Sequence, residues 1–86
     1  MNKTLEELTS GKIDFILFTK PACVQCTATK RQFKKNGSKY AELNLQSDEG
    51  AMDLMRELNP DALQAPVVVT RNDTWSGFRP DKINLS

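Results

Sequence analysis

The sequence predicts an α/β domain in which a mixed four-stranded sheet is flanked by helices, ordered β-α-β-α-β-β-α with an extra short helix in front. Three observations carry this. The apolar run Phe15-Ile16-Leu17-Phe18 suits a central strand covered on both faces. Two segments of helical spacing with clear stop signals alternate with short strand-like runs. The β-branched run Pro66-Val67-Val68-Val69-Thr70 is followed by a turn signal and another short apolar segment.

At the start, Thr4-Leu5-Glu6-Glu7 fits a capping box with Thr4 as N-cap, Leu5 and Leu8 facing inward and Gly11 as the stop. It reads as a short helix or a loose arm. Residues 13–19 form the first strand, which Lys20-Pro21-Ala22 breaks because proline removes an N–H and fixes φ. Residues 23–36 form a helix with Cys26, Thr29 and Phe33 on one face and Asn36-Gly37 as its stop. Residues 39–45 alternate as a second strand, with Tyr40 and Asn44 opposite Ala41, Leu43 and Leu45.

Ser47 caps a second helix over 48–58, with Asp48 and Glu49 in its first turn and Ala51, Leu54, Met55 and Leu58 as its apolar stripe. Residues 66–70 are the third strand, 71–74 a turn, and Trp75 with its neighbours the fourth strand. Gly77 breaks the pattern, and Pro80 opens a last helix carrying Ile83 and Leu85. The β-α-β half should cross over right-handed and pair in parallel, and the hairpin should add antiparallel.

The 86 residues amount to one domain over 1–86, with 1–12 as an extra segment and 13–86 as the core. With 38% hydrophobic and 27% charged residues the chain reads as soluble and globular. A net charge of +1 gives no reason to expect nucleic acid or an anionic membrane as partner. No segment has the ~18–20 apolar residues of a membrane span, and Met1 to Ser10 lack the apolar core of a secretory signal. The expectation is a cytoplasmic protein, where a Cys-x-x-Cys is more often catalytic or metal-binding than a structural staple.

Cys23 and Cys26 are the two cysteines of the chain. Placed at a helix start, Cys23 meets unsatisfied N–H groups and the positive end of the macrodipole, which favour a thiolate. Cys26 lies one turn deeper. Cys23 is therefore assigned as the attacking nucleophile and Cys26 as the resolving thiol of a redox-active disulfide. Lowering the thiol pKa from ~8.5 to ~7 raises the thiolate fraction about 16-fold, and falling nucleophilicity trims the net gain to roughly threefold. The larger benefit is leaving-group quality when Cys26 expels Cys23.

A closed zinc site needs four ligands, usually Cys or His. Two cysteines and no histidine leave metal binding only as an intersubunit metal or iron–sulfur cluster. Lys20 is a candidate for lowering the Cys23 pKa, against the plainer reading of a solvated loop lysine. Residues Phe15 to Phe18 are apolar, so the strand supplies no proton acceptor for Cys26.

The segments Phe18-Thr19-Lys20-Pro21-Ala22-Cys23-Val24-Gln25-Cys26, Ala65-Pro66-Val67-Val68-Val69 and Trp75-Ser76-Gly77-Phe78-Arg79-Pro80-Asp81 closely resemble the NrdH-redoxins. That family is glutaredoxin-like in sequence and thioredoxin-like in activity. The resemblance implies a thioredoxin fold and a cis Ala65–Pro66 bond beside the cysteines. It implies that the backbone of Ala65 pairs with an extended substrate segment. It also implies electron donation to the large subunit of class Ib ribonucleotide reductase, with electrons from NADPH through thioredoxin reductase. No bound cofactor is expected, and a monomer is.

Glutathione-using glutaredoxins tend to carry Cys-Pro-Tyr-Cys, Thr-Val-Pro and Gly-Gly-x-x-Asp. Here Val24-Gln25, Gln64-Ala65 and Trp75-Ser76-Gly77-Phe78 stand instead, which implies loss of tight glutathione binding. Trp75 and Phe78, with Ser76 and Gly77 between and beside them, form a partner-contact surface or plug the small core. Arg79 anchors this loop, meets an acidic partner, or is solvated. Residues 30–39 are basic and 42–61 largely acidic: either a solvated helix face or a dock for the acidic tail of a reductase. The rival functions are a glutathione-dependent glutaredoxin and a non-catalytic module holding an intersubunit cluster.

Overall fold

The computed structural model describes residues 3–62 and 65–85. Its elements are α1 (Lys3–Ser10), β1 (Phe15–Thr19), α2 (Val24–Asn36), β2 (Tyr40–Asn44), α3 (Ala51–Leu58), β3 (Val67–Val69), β4 (Thr74–Ser76) and α4 (Pro80–Leu85). The four strands form one sheet in the order β2-β1-β3-β4. β1 pairs with β2 in parallel, Leu17 opposite Glu42, and with β3 antiparallel, Leu17 opposite Val68. β4 completes the sheet antiparallel to β3, Trp75 opposite Val68. This is the predicted mixed sheet.

Every residue of β1 is buried, because the strand is central and has a core on each face. Ile16 and Phe18 point one way, into a cluster with Leu8, Ala51, Leu54, Met55, Val67 and Val69, so α1 and α3 cover that face. Phe15 and Leu17 point the other way, toward Phe33, Val68, Trp75 and Ile83, so α2 and α4 cover the second face. The period-two alternation of one strand thus serves two cores. Burying each of these large side chains contributes about 1.5–3 kcal/mol.

α2 buries Cys26, Thr29 and Phe33, the face read from the sequence. It stops at Gly37, whose N–H donates to the Lys34 carbonyl at 3.2 Å while the Ser38 N–H donates to the Phe33 carbonyl at 2.9 Å. α3 buries Ala51, Leu54 and Met55, with Leu58 packed against the cluster. In α4, Ile83 is buried as predicted, whereas the side chain of Leu85 lies outside the described residues.

Three local expectations are corrected. Thr4 is not the N-cap of α1, since the helix already includes Lys3. Ser47 does not cap α3, which starts only at Ala51. The reason is a competing turn: Asn44 Oδ1 accepts from the N–H groups of Gln46 and Ser47, and Asp48 Oδ2 accepts from the Asn44 N–H. Gly50 then enters the helix at φ 80°, a conformation that costs glycine little. Finally, β1 begins at Phe15 rather than residue 13, because the Asp14 and Phe15 N–H groups share the Lys39 carbonyl instead of opening a regular ladder.

Arg71, in the β3–β4 turn, ties α1 to the sheet. Its guanidinium donates to the carbonyls of Leu8 at 2.8 Å and Ile13 at 2.9 Å, and lies 3.5 Å from the Asp14 carboxylate. Arg71→Ala should lower stability by about 1–2 kcal/mol, discounted for partial exposure. The loss should be concentrated in α1, read as faster amide exchange there. Unchanged exchange in α1 would show that Leu8 burial alone holds it.

Candidate active site

The site forms where β1 ends and α2 begins. Cys23 is the N-cap of α2 rather than its first helical residue, with φ −108° and ψ 107°. Its carbonyl accepts from the Thr27 N–H at 3.2 Å, and its Sγ accepts from the Cys26 N–H at 3.2 Å. The sulfur therefore sits on the orphan amides of the helix start, where negative charge is favoured. Cys23 and Cys26 are joined in a disulfide, with Cα atoms 5.2 Å apart. Cys23 is half-buried and Cys26 only 2% exposed, so an incoming group meets Cys23 first.

The loop before it turns at Ala22, whose φ of 55° lies in the left-handed region that a non-glycine residue enters at a cost of roughly 1–2 kcal/mol. Nothing in the sequence reading singled out Ala22. It lines the site nonetheless, in an open cleft of about 410 Å³ that also brings together Lys20, Cys23, Val24, Gln25, Ala65, Ser76 and Gly77. Seven of the sequence-predicted residues thus meet around one disulfide. Val24 is 83% exposed beside the sulfur.

The wall opposite α2 comes from two other segments. The Ala65–Pro66 peptide is cis, and Pro66 is fully buried behind the cleft. The Pro66 carbonyl accepts from the Gly77 N–H at 2.8 Å. Gly77 has φ 86°, which favours glycine at this bend. Gln25 reaches across: its Oε1 accepts from the Phe78 N–H at 3.3 Å. Gln64, also singled out in the sequence, lies outside the described residues.

Trp75 requires correction as a contact residue. β4 alternates, so Thr74 and Ser76 face one side while Trp75 turns into the core with Phe15, Phe33 and Ile83 and is 6% exposed. Its Nε1 is buried without a hydrogen-bond partner among the described residues, and Lys82 Nζ lies 5.5 Å from its ring centroid. Phe78 is half-buried and contributes its backbone N–H.

Arg79 stands outside the cleft and donates from Nε and Nη2 to the Asp81 carboxylate at 3.3 and 3.2 Å. That hydrogen bonding holds the Asp81 carboxyl below the usual carboxylate range. Asp73 is lowered in the same sense, first by the hydrogen bond from Lys82 and then by the Thr74 N–H.

A second, largely apolar cleft of about 520 Å³ adjoins the first. It shares Lys20 and Ala65 and adds Pro21, Leu45, Gln46, Met52 and Met55. Sequence reading missed it. The available signal was Met52, a large apolar residue standing off the buried stripe of α3. Among the described residues no three His, Cys, Asp or Glu side chains are grouped as a metal would need, and no helix is long and apolar enough to cross a membrane.

Comparison with known proteins agrees with this geometry. The glutaredoxin family model matches residues 15–75, from β1 through Trp75. The glutaredoxin-like protein NrdH of Salmonella typhimurium is 40% identical over 68 residues, 79% of this chain and 82% of that protein. The Escherichia coli K12 protein of the same name is 38% identical over the same shares. The solved structure of the E. coli NrdH-redoxin superposes with a TM-score of 0.74 at 37% identity, covering 83% of this chain and 91% of that one. The chain, with its sheet order, its helix-start disulfide and its cis proline, belongs to the NrdH glutaredoxin-like proteins and is a thiol–disulfide oxidoreductase of thioredoxin-like fold.

Proposed function

We propose that this protein is a dithiol electron donor to the large subunit of class Ib ribonucleotide reductase, recharged by thioredoxin reductase with NADPH rather than by glutathione. The observation that carries the second half is the cleft wall. Val24 and Gln25 fill the interval between the cysteines, Val24 stands exposed beside Cys23, and Gln25 Oε1 accepts from the Phe78 N–H, in place of the Pro-Tyr and Gly-Gly segments of glutathione-using glutaredoxins. The E. coli relative, a glutaredoxin-like protein with a thioredoxin-like activity profile, supports the same reading. The choice of reductase substrate rests on the family resemblance.

In this mechanism the reduced protein presents the Cys23 thiolate at the start of α2. The Cys26 N–H, 3.2 Å from that sulfur in the disulfide form, supplies a charge-assisted hydrogen bond to the anion. Cys23 attacks one sulfur of the substrate disulfide, and the other leaves as a thiolate. Cys26 passes its proton to the substrate thiolate released in the first step, and its own thiolate attacks Cys23 Sγ, releasing the second substrate thiolate and restoring the Cys23–Cys26 disulfide. Ala65, on the cleft wall, offers its backbone to an extended substrate segment. Lys20, on the same wall, adds positive potential near the thiolate.

The test supplies NADPH with thioredoxin reductase, or with glutathione and glutathione reductase, and follows reduction of a protein disulfide. Turnover is expected with the first couple. Turnover with glutathione alone would overturn the assignment.

A further inference from the structure

α2 carries Lys30, Arg31, Lys34 and Lys35 and no acidic residue. Solvated helices ordinarily intersperse opposite charges at i,i+4, whereas here Lys30/Lys34 and Arg31/Lys35 place like charges at that spacing, which destabilises a helix. Lys30 is engaged by Glu42 at 3.3 Å. Among the described residues, no carboxylate comes within salt-bridge distance of Arg31, Lys34 or Lys35. At about 100° per residue, Arg31 and Lys35 return to within roughly 20° of Val24, on the face opposite Cys26, Thr29 and Phe33. Val24, 83% exposed, is also a wall of the cleft beside Cys23. One outer stripe therefore runs from the reactive disulfide through an exposed apolar contact to two unneutralised cations, roughly 10 and 16 Å along the axis from Val24.

We propose that this Val24–Arg31–Lys35 stripe recognises acidic residues of the disulfide-bearing polypeptide substrate. An extended chain advances about 3.3 Å per residue. A segment leaving Cys23 along α2 places its side chains over Arg31 and Lys35 about three and about five residues from the reacting cysteine. The proposal rests on the dithiol-donor reading above and adds the charge pattern of the substrate.

Two disulfide-linked homodimeric peptides test it, one with Glu and one with Gln at the third and fifth positions on both sides of a single cysteine. The protein, reduced beforehand with dithiothreitol and desalted, is mixed with each, and oxidation is followed by acid quench and chromatography. At low ionic strength the Glu peptide should react about five- to tenfold faster. In R31Q/K35Q, and in roughly 0.5 M salt, that preference should fall below twofold with the Gln-peptide rate unchanged. K12Q, away from the stripe, should keep it. Equal wild-type rates, or a preference that survives in R31Q/K35Q, would overturn the docking proposal while leaving the dithiol reading intact. Wild-type protein oxidised by neither peptide would overturn both.

Discussion

Cys23→Ser should abolish disulfide reduction, a loss of at least about a thousandfold, because a serine hydroxyl yields no comparable nucleophile at neutral pH. Cys26→Ser should instead complete the first half-reaction and stop. The two sulfurs differ in exposure, and only Cys23 is seated as the cap of α2. With Cys26 replaced, nothing inside the protein displaces the substrate from Cys23. A mixed disulfide should accumulate at one equivalent, visible as a mass shift that dithiothreitol reverses. A Cys26→Ser protein that turns over as the wild type does, or an adduct on Cys26 in Cys23→Ser, would reverse the assignment.

Phe33→Ala should be among the most damaging core substitutions for stability. Phe33 is fully buried, stacks on Phe15 at 4.6 Å and meets the tilted ring of Tyr40 at 4.7 Å between ring centroids. Truncating a buried phenylalanine costs about 3–5 kcal/mol. Domains of this size are stable by only about 5–15 kcal/mol, and a chain this short buries only about 60–65% of its unfolded surface. The urea midpoint should therefore fall by a large fraction with an unchanged slope. A loss under about 1 kcal/mol would mean that Tyr40 and Phe15 close the gap. Phe33 and Cys26 share the inner face of α2, so this packing also fixes where the helix start sits.

Much of the fold was legible because its strongest signals are local. An unbroken apolar strand, a β-branched run and helices with clear stops need no tertiary knowledge, and the sheet pairing followed from their order. The errors fall where two local solutions compete. Ser47 is a good cap by composition, yet the Asn44 and Asp48 side chains fold residues 44–48 into a turn of their own and leave α3 to begin at Ala51.

The site was legible in part. The cysteines, Gly77 and the segment around Pro66 meet as the motifs implied, since the motifs encode backbone geometry. Trp75 stood open between a contact surface and a core plug because sequence does not say which way a three-residue strand alternates; its burial is set by the register with Val68. Ala22 and Met52 escaped because neither residue type announces a strained turn or an exposed pocket wall.

The bridge from Gln25 to Phe78 has a consequence for protein engineering. The dipeptide between the cysteines has the look of a cassette that could be exchanged on its own. Here its second residue also anchors a loop more than fifty positions later in the chain. Exchanging residues 24 and 25 alone would free the Phe78 N–H and loosen one wall of the cleft. The sound unit of transplantation is therefore the inter-cysteine dipeptide together with residues 76–79, moved as one piece.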